Sequence, residues 1–463
     1  MSSTKLKEYI HRLEELARAN GLDFHPVDFE VVPTSFMMEV AVYGLPVRMP
    51  HWSFGVRYIY QYVQHRMGAS RIFEVVFPGN PNRAYLIEDN SIAENTLVTA
   101  HVLAHADFSK NNELFDRMQS QVGYRIVEQA AERARRIESA IERHGKSTVE
   151  EVLDAALALE QHIDSGRGLR RSRYPEFVER EETKRPAGFR GRYSTLPGES
   201  SEESHPRVRE GSRASIPPHP EYDLLWFIAN YAPDLSGWER DIFLDVREES
   251  FYFYPVFACQ IMNEGWASYW HARMLREADF LPEQIYLDAL KAHSDVVRPY
   301  GGSRTVSVAI NPYHVGYVIW ERIIEEQGVD AAMRIRSEED DFGFVRNYLD
   351  EDTADRLELF AYTKSRDRTG AERYTVRERD IHELRETILA PKFHFGAPRV
   401  YAAELSVDGV LTLRHDYRTD GRGLDQQRAR KVLEYIHRVW RRPVRLISAD
   451  NHGNEQLLDA GQG

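Results

Sequence analysis

Two stretches of this chain carry polar side chains where a helix would be expected to bury them. The first is residues 87–112, IEDNSIAENTLVTAHVLAHADFSKNN, in which Asn90, Glu94, His101, His105 and Asn112 recur at intervals of 4, 7, 4 and 7. At about 100° per residue, these five positions fall within roughly 60° of one another on a helix. A solvated face would carry Lys and mixed charge. This one carries two imidazoles, a carboxylate and two amides, with Leu97, Val98, Val102 and Leu103 around them. The second stretch is residues 260–271, QIMNEGWASYWH, where Gln260, Glu264 and His271 lie within about 40° of one face. Each helix thus offers a carboxylate and an imidazole seven residues apart, Glu94/His101 and Glu264/His271, and the first adds His105.

Histidines at i and i+4 on one helix face can bind a single metal ion. Buried carboxylates are costly without a cation or donors. Two facing stripes of this kind therefore point to a site in which His101, His105 and Glu264 hold a divalent metal, zinc first and iron as the alternative, with a position open for water or substrate. The competing reading is a buried hydrogen-bond network between packed helices. The spacing His101-Val-Leu-Ala-His105 is similar to the H-E-x-x-H of thermolysin-like zincins, but Val102 stands where their catalytic glutamate would be. A proton carrier must then come from elsewhere, with Glu94 or His271 as the catalytic candidates. A helix-bundle di-iron site would need Glu-x-x-His, which neither helix has. A two-histidine, one-carboxylate iron site has the right ligand types. Asn90, Asn112, Asn263, Trp266 and His51 are the residues expected to orient ligands or contact substrate.

Other features are weaker. His51-Trp52-Ser53-Phe54-Gly55 reads equally as the lining of a cleft or as a turn packed by two aromatics. Asn311-Pro312-Tyr313 reads as a helix start. His293 reads as a cap or surface residue, and His162 as a helix C-terminal cap. There is no Walker loop, dinucleotide fingerprint or G-x-S-x-G elbow.

The elements that must position these residues are mostly helical. Apolar spacing predicts helices over 4–20, 54–67, 88–108, 112–143, 148–163, 222–231, 238–259, 260–276, 282–293, 311–326, 353–360 and 374–389, with 29–43 a short helix or extended entry. Residues 165–220 are charged, rich in Gly, Ser and Pro and poor in large aliphatics, so a flexible insertion is expected there. Alternation predicts strands over 399–406 and 410–417 around Val407-Asp408-Gly409, then a helix over 424–439 and a last strand over 444–448. The expected fold class is mainly α: an interrupted multi-helix domain over 1–365, and a small C-terminal α+β module over 366–463. At 463 residues the chain is long enough for a large core. A net charge of −13 argues against a general nucleic-acid binder. The single cysteine, Cys259, excludes an internal disulfide and cysteine-rich zinc modules. The chain shows no signal-peptide pattern at its start and no apolar run approaching about 18 residues, so a cytoplasmic protein without a membrane span is expected.

The blocks that carry these features resemble the SpoVR family, named for a stage V sporulation protein. They are His51-Trp52-Ser53-Phe54-Gly55; Asn80-Pro81 with Ala84-Tyr85-Leu86-Ile87-Glu88-Asp89-Asn90; Ala100-His101 with His105 and Lys110-Asn111-Asn112; Asn263-Glu264-Gly265-Trp266-Ala267-Ser268-Tyr269-Trp270-His271; and Ile310-Asn311-Pro312-Tyr313 with Gly316. The family's Asp-Ala-x-His-Ala-Leu pattern aligns with Asp154–Leu159, which places Leu157 where the family has histidine. The resemblance implies a bacterial cytoplasmic protein, tied in spore formers to sporulation and spore-cortex peptidoglycan. It also implies a serine protein kinase and a von Willebrand A-like protein as partners. Joined to the metal reading, it suggests a metal-dependent hydrolase or transferase acting on a peptide-type amide bond, with peptidoglycan-type peptides as substrate. The alternatives are a non-catalytic regulator or scaffold in a kinase-linked stress or sporulation pathway, and a non-haem iron oxygenase.

Overall fold

The computed structural model describes residues 2–66, 74–167, 174, 216–297, 311–357, 359, 362–366, 372–376, 380–449 and 453–461. The amphipathic opening forms α1 (Ser2–Ala19), followed by β1 (Val27–Val32), α2 (Thr34–Tyr43) and α3 (Trp52–Arg66). Strands β2 (Glu74–Phe77) and β3 (Asn82–Ile87) lead into α4 (Ile92–Asn111), α5 (Glu113–Val122), α6 (Ile126–His144) and α7 (Lys146–Ala158). After the polar stretch come α8 (Leu224–Tyr231), α9 (Gly237–Ala258), α10 (Gln260–Glu277) and α11 (Glu283–Val297). Then follow α12 (Pro312–Gln327), α13 (Val329–Glu338), α14 (Asp341–Tyr348) and α15 (Glu351–Arg356). The hairpin β4 (Tyr362–Arg366) and β5 (Glu372–Val376) precedes α16 (Ile381–Leu389) and a 3-10 segment, Ala390–Gly396. The chain ends with β6 (Val400–Leu405), β7 (Leu411–His415), α17 (Tyr417–Asp420), α18 (Gln426–Trp440), β8 (Val444–Ala449) and β9 (Glu455–Ala460).

The mainly α class and a small C-terminal sheet are as the sequence predicts, although β9 adds a strand after the one expected to be the last. That sheet has the order β6-β7-β8-β9, with β7 and β8 parallel and the outer pairs antiparallel. Local bounds differ in several places; the helix expected over 112–143, for one, is two helices, α5 and α6, broken at Gly123. Of the short helix or extended entry expected over 29–43, the first residues are extended in β1, which pairs parallel with β3 while β2 lies antiparallel on the other side of β3, and the rest is the helix α2. The helix expected within 374–389 is the shorter α16, whose start Asp380 caps by accepting from His382 N–H, and residues 374–376 belong instead to the strand β5. The helix expected over 353–360 is α15, capped by Asp350. Most of the 165–220 insertion lies outside the described residues.

Three apolar clusters hold the fold. The largest joins α1, α4, α10 and α12 around Trp266, Trp270 and Trp320, all fully buried, and it includes Leu384, Ile388 and Leu389 of α16. A second joins α7, α8 and α9 to α18 and the C-terminal sheet through Trp440 and Leu413. A third packs Met37 and Phe77 against Met118 and Phe251. The segment α16 to Gly396 therefore belongs to the helical body, while the C-terminal sheet shares a core with α7–α9. No helix among the described residues is long and apolar enough to cross a membrane.

Candidate metal centre

Helix α4 is buried on nearly every side, which is why its apolar residues show no single stripe. It begins at a capping box. Ser91 Oγ accepts from Glu94 N–H at 3.1 Å, and the Glu94 carboxylate accepts from Ser91 N–H at 2.7 Å. It ends at Asn112, whose side chain accepts from Leu114 and Phe115 N–H and donates to the Arg336 and Glu339 carbonyls. Between them the buried Asp107 accepts from both Arg336 Nη1, at 2.7 Å to each oxygen, and Trp266 Nε1, at 2.9 Å. That carboxylate ties α4 to α10 and α13.

Helix α10 is fixed independently. Its first amides, Ile261 and Met262 N–H, donate to the buried Asp341 carboxylate at 2.9 Å each, and Lys392 Nζ lies 3.0 Å from the same group. Burial pushes the Asp341 carboxyl up to about 6 against the opposing pull of Lys392. Trp320 Nε1 donates to the Met262 carbonyl, joining α10 to α12. The two helices also meet where Gly265 faces Gly316, and a Cβ on either would run into the other's backbone. Glycine is required there for close approach.

These anchors bring His101, His105 and Glu264 together. Glu264 Oε2 lies 3.5 Å from His101 Nε2 and 3.4 Å from His105 Nε2. The ligand atoms of all three lie within 4.8 Å of one another. The imidazoles are buried and Glu264 is partly exposed, although its Oε2, the oxygen that faces both rings, is buried. Burial raises the Glu264 carboxyl, but the adjoining His105 and His101, when protonated, outweigh it and hold it well below the usual range.

The other ring nitrogens are engaged as well. His105 Nδ1 is 2.8 Å from Asn263 Oδ1, an acceptor that places the proton on Nδ1 and leaves the Nε2 lone pair toward Glu264. His101 Nδ1 is 2.8 Å from His271 Nδ1, and His271 Nε2 is 2.6 Å from His293 Nδ1. Burial and the neighbouring His101 and His293 depress His271 far below its ordinary value. Burial and Arg276 bring His293 down to about 4. In one assignment each ring donates outward, from His101 Nδ1–H to His271 and from His271 Nε2–H to His293, again leaving His101 Nε2 facing the carboxylate. The Tyr313 ring stacks near His101, at 6.0 Å between centroids.

The remaining expected residues fall into three groups. Asn263 joins the cluster as His105's partner, and His271 as His101's. Trp266 lies next to it, engaged by Asp107. The structure does not bring the others there. Glu94 is held in the helix cap two turns before His101, about 10 Å along the axis. Asn90 donates to Asn95 in the turn before α4, Asn112 is the cap described above, and His51 bonds Ser53 and Asp154 at the second core. His293, read from sequence as a cap or surface residue, is instead the end of the imidazole row. Its signal was its position four residues from both Ala289 and Val297, which are buried on α11.

The SpoVR like protein family model matches residues 1–395, and the SpoVR-like C-terminal domain model matches residues 399–451. A protein of Escherichia coli strain K12, named uncharacterized protein YcgB, is 30% identical over 504 aligned residues, which cover 98% of this chain and 94% of the relative. No solved structure matches the chain significantly. The blocks that build the His101 cluster all fall inside the first of these matches, and with the second following directly behind it, the chain belongs to the SpoVR family.

Proposed function

We propose that this protein is a metal-dependent enzyme in which His101, His105 and Glu264 hold one divalent ion, zinc by the chemistry of the donors. We propose further that it hydrolyses or transfers across a peptide-type amide bond, with peptidoglycan-type peptides as the substrate class. The observation that carries this reading is the convergence of two imidazole Nε2 atoms on one carboxylate oxygen at 3.4 and 3.5 Å. Those separations exceed a charge-assisted hydrogen bond. They match two ligands of a tetrahedral ion, which at about 2.1 Å from the metal stand about 3.4 Å apart. Both Nδ1 atoms are occupied by partners that set the ligating tautomer, the usual support of a metal-bound histidine.

When bound, such an ion polarises a carbonyl and lowers the pKa of water. The protein's own groups do the rest. Asn263 orients His105, and His271 orients His101. Both nitrogens of His271 are engaged within the row, so it acts as a positioning residue. Glu94 is committed to its helix cap. A second reading, a non-haem iron oxygenase, is favoured by the same two-histidine, one-carboxylate set and by the buried Val102, which leaves no glutamate beside the ligands on α4.

Metal content by inductively coupled plasma mass spectrometry, on tag-free wild type and the His101→Ala/His105→Ala variant, tests the proposal. About one zinc per chain, lost in the variant, supports it and makes peptidoglycan-peptide hydrolysis the next assay. Iron in its place favours the oxygenase. A folded wild type that takes up no metal on reconstitution refutes both, leaving the structural network and a scaffold role toward a kinase and a von Willebrand A-like partner.

A further inference from the structure

A second constellation stands apart from the metal ligands, at the start of α3 and packed on the second core. His51 Nδ1 lies 2.7 Å from Ser53 Oγ, and His51 Nε2 lies 3.1 Å from Asp154 Oδ1 on α7. A carboxylate only accepts, so Nε2 carries the proton and Nδ1 offers its lone pair to the serine hydroxyl. Trp52 Nε1 donates to the same Asp154 oxygen at 2.9 Å, which locks the carboxylate. The imidazole is wedged against Trp52 and Phe54, with centroids 5.3 and 6.0 Å away. Hydroxyl, base and orienting carboxylate are thus in the order that activates a serine, with the two ring nitrogens exchanged relative to the serine-protease arrangement.

We propose that Ser53 is a nucleophile activated by His51 and positioned through Asp154, and that this site cleaves ester or amide bonds of substrates bearing an apolar acyl group. The acyl preference comes from Trp52, Val56 and Ile59. They are 51%, 59% and 66% exposed and stand at i, i+4 and i+7 on α3, one apolar stripe that begins at the residue before Ser53. Accessibility separates this site from a structural look-alike. His415, Ser448 and Asp420 also meet, with His415 Nδ1 3.0 Å from Ser448 Oγ, but the His415 and Asp420 side chains are wholly buried and no substrate reaches them. Ser53 is only half-buried and the Asp154 side chain is 16% exposed, while the His51 ring between them is 3% exposed, so here it is the hydroxyl and not the base that solvent reaches. His51 also approaches Ser53 N–H at 3.4 Å, a helix-capping contact. Capping alone requires neither a reachable hydroxyl nor an exposed apolar stripe.

The step balances without a further reagent. Ser53 Oγ attacks the carbonyl carbon as its proton passes to His51 Nδ1. The bond to the leaving alcohol or amine breaks, and that group departs with the proton. Water then attacks the acyl-serine, giving a proton to His51, which returns it to Ser53 Oγ as the carboxylic acid leaves. Asp154 is a positioning residue throughout.

A fluorophosphonate probe tests this on the full-length protein. One adduct per chain is expected, mapped to Ser53 by peptide mass spectrometry and still formed after metal chelation, because the site is independent of the metal ligands. Hydrolysis of p-nitrophenyl butyrate should disappear in Ser53→Ala. Both labelling and hydrolysis should slow at least about a hundredfold in Asp154→Asn, which disturbs the tautomer. A folded wild type with no adduct at Ser53 under saturating probe overturns the proposal, and that result needs no variant to fold. Undiminished ester hydrolysis in a folded Ser53→Ala overturns it equally. A chelated protein that no longer labels would overturn the independence of the two sites.

Discussion

Replacing Asn263 by Ala removes the acceptor of the His105 Nδ1 proton, at 2.8 Å, while leaving all three ligand side chains in place. Asn263 is only half-buried, and its neighbours in the chain pack without it, so the fold should survive. A neutral hydrogen bond of this kind contributes about 0.5–1.5 kcal/mol to stability. Its loss beside a metal ligand also frees the imidazole to rotate and change tautomer, and such losses typically weaken metal affinity about 10–100-fold. The expectation can be read as a stability difference. At free zinc about a hundred times the wild-type Kd, bound metal stabilises the folded state by about 2.7 kcal/mol. A tenfold weaker variant retains about 1.4 kcal/mol of that, and a hundredfold weaker one about 0.4 kcal/mol. Competition against a chromophoric chelator gives the affinity directly, and urea unfolding with and without zinc gives the same quantity independently. His105→Ala is the reference for losing the ligand itself. If Asn263→Ala binds zinc within twofold of wild type while His105→Ala does not bind it, the claim that the Nδ1 contact prepares His105 for the metal is wrong.

Two further outcomes are expected. Gly265→Ala places a Cβ against the Gly316 backbone and should destabilise by about 1–3 kcal/mol or more, lowering zinc uptake with it because α10 carries Glu264, whereas Gly237→Ala, whose Cβ meets nothing within 4 Å, should change stability by no more than about 0.5 kcal/mol in urea unfolding. His162 supplies a pH dependence: burial depresses it to about 4 against a donor–acceptor contact with Pro398, so its contribution is whole above about pH 6.5 and is lost as pH falls toward 4, where the unfolded chain binds a proton that the folded one refuses. Wild type should therefore lose roughly 2–3 kcal/mol more than His162→Gln between pH 7.5 and pH 4, and equal losses in the two proteins would remove His162 as the cause.

The helical body was legible because its signals are local. The N-cap at Asn311 with Pro312 behind it is a one-turn pattern, and the structure has Tyr313 N–H donating to Asn311 as that pattern requires. The strands of the N-terminal sheet were not legible. Val27 pairs with Asn82, and nothing in a six-residue run of Val, Asp, Phe and Glu declares a partner that far along the chain. The start of the helix expected within 374–389 was misplaced for a related reason. Its first residues pair across a hairpin with Tyr362–Arg366, and pairing overrides a weak helical spacing.

The candidate site separates what periodicity can give from what it cannot. Spacing fixes the angle of a residue around a helix, and by angle Glu94, His101 and His105 are equivalent. It does not fix which level of one helix meets which level of another. Asn263 meets His105, Glu264 meets both histidines, and His271 meets His101, so α10 runs antiparallel to α4 and the two stripes overlap over only part of their length. Glu94 falls beyond that overlap. Its role was nevertheless written in the sequence, since Ser91-Ile-Ala-Glu94 is a capping box and a carboxylate that closes one is not free to serve a neighbour. The overlap itself is set by contacts between residues remote in the chain: Asp107 with Trp266 and Arg336, Asp341 with the α10 amides, and Gly265 against Gly316. Two of those anchors are buried carboxylates, expensive to hold in place for packing alone. A replacement of Asp107 or Asp341 would thus act on the metal ligands through the register of α4 and α10, without touching any of the three.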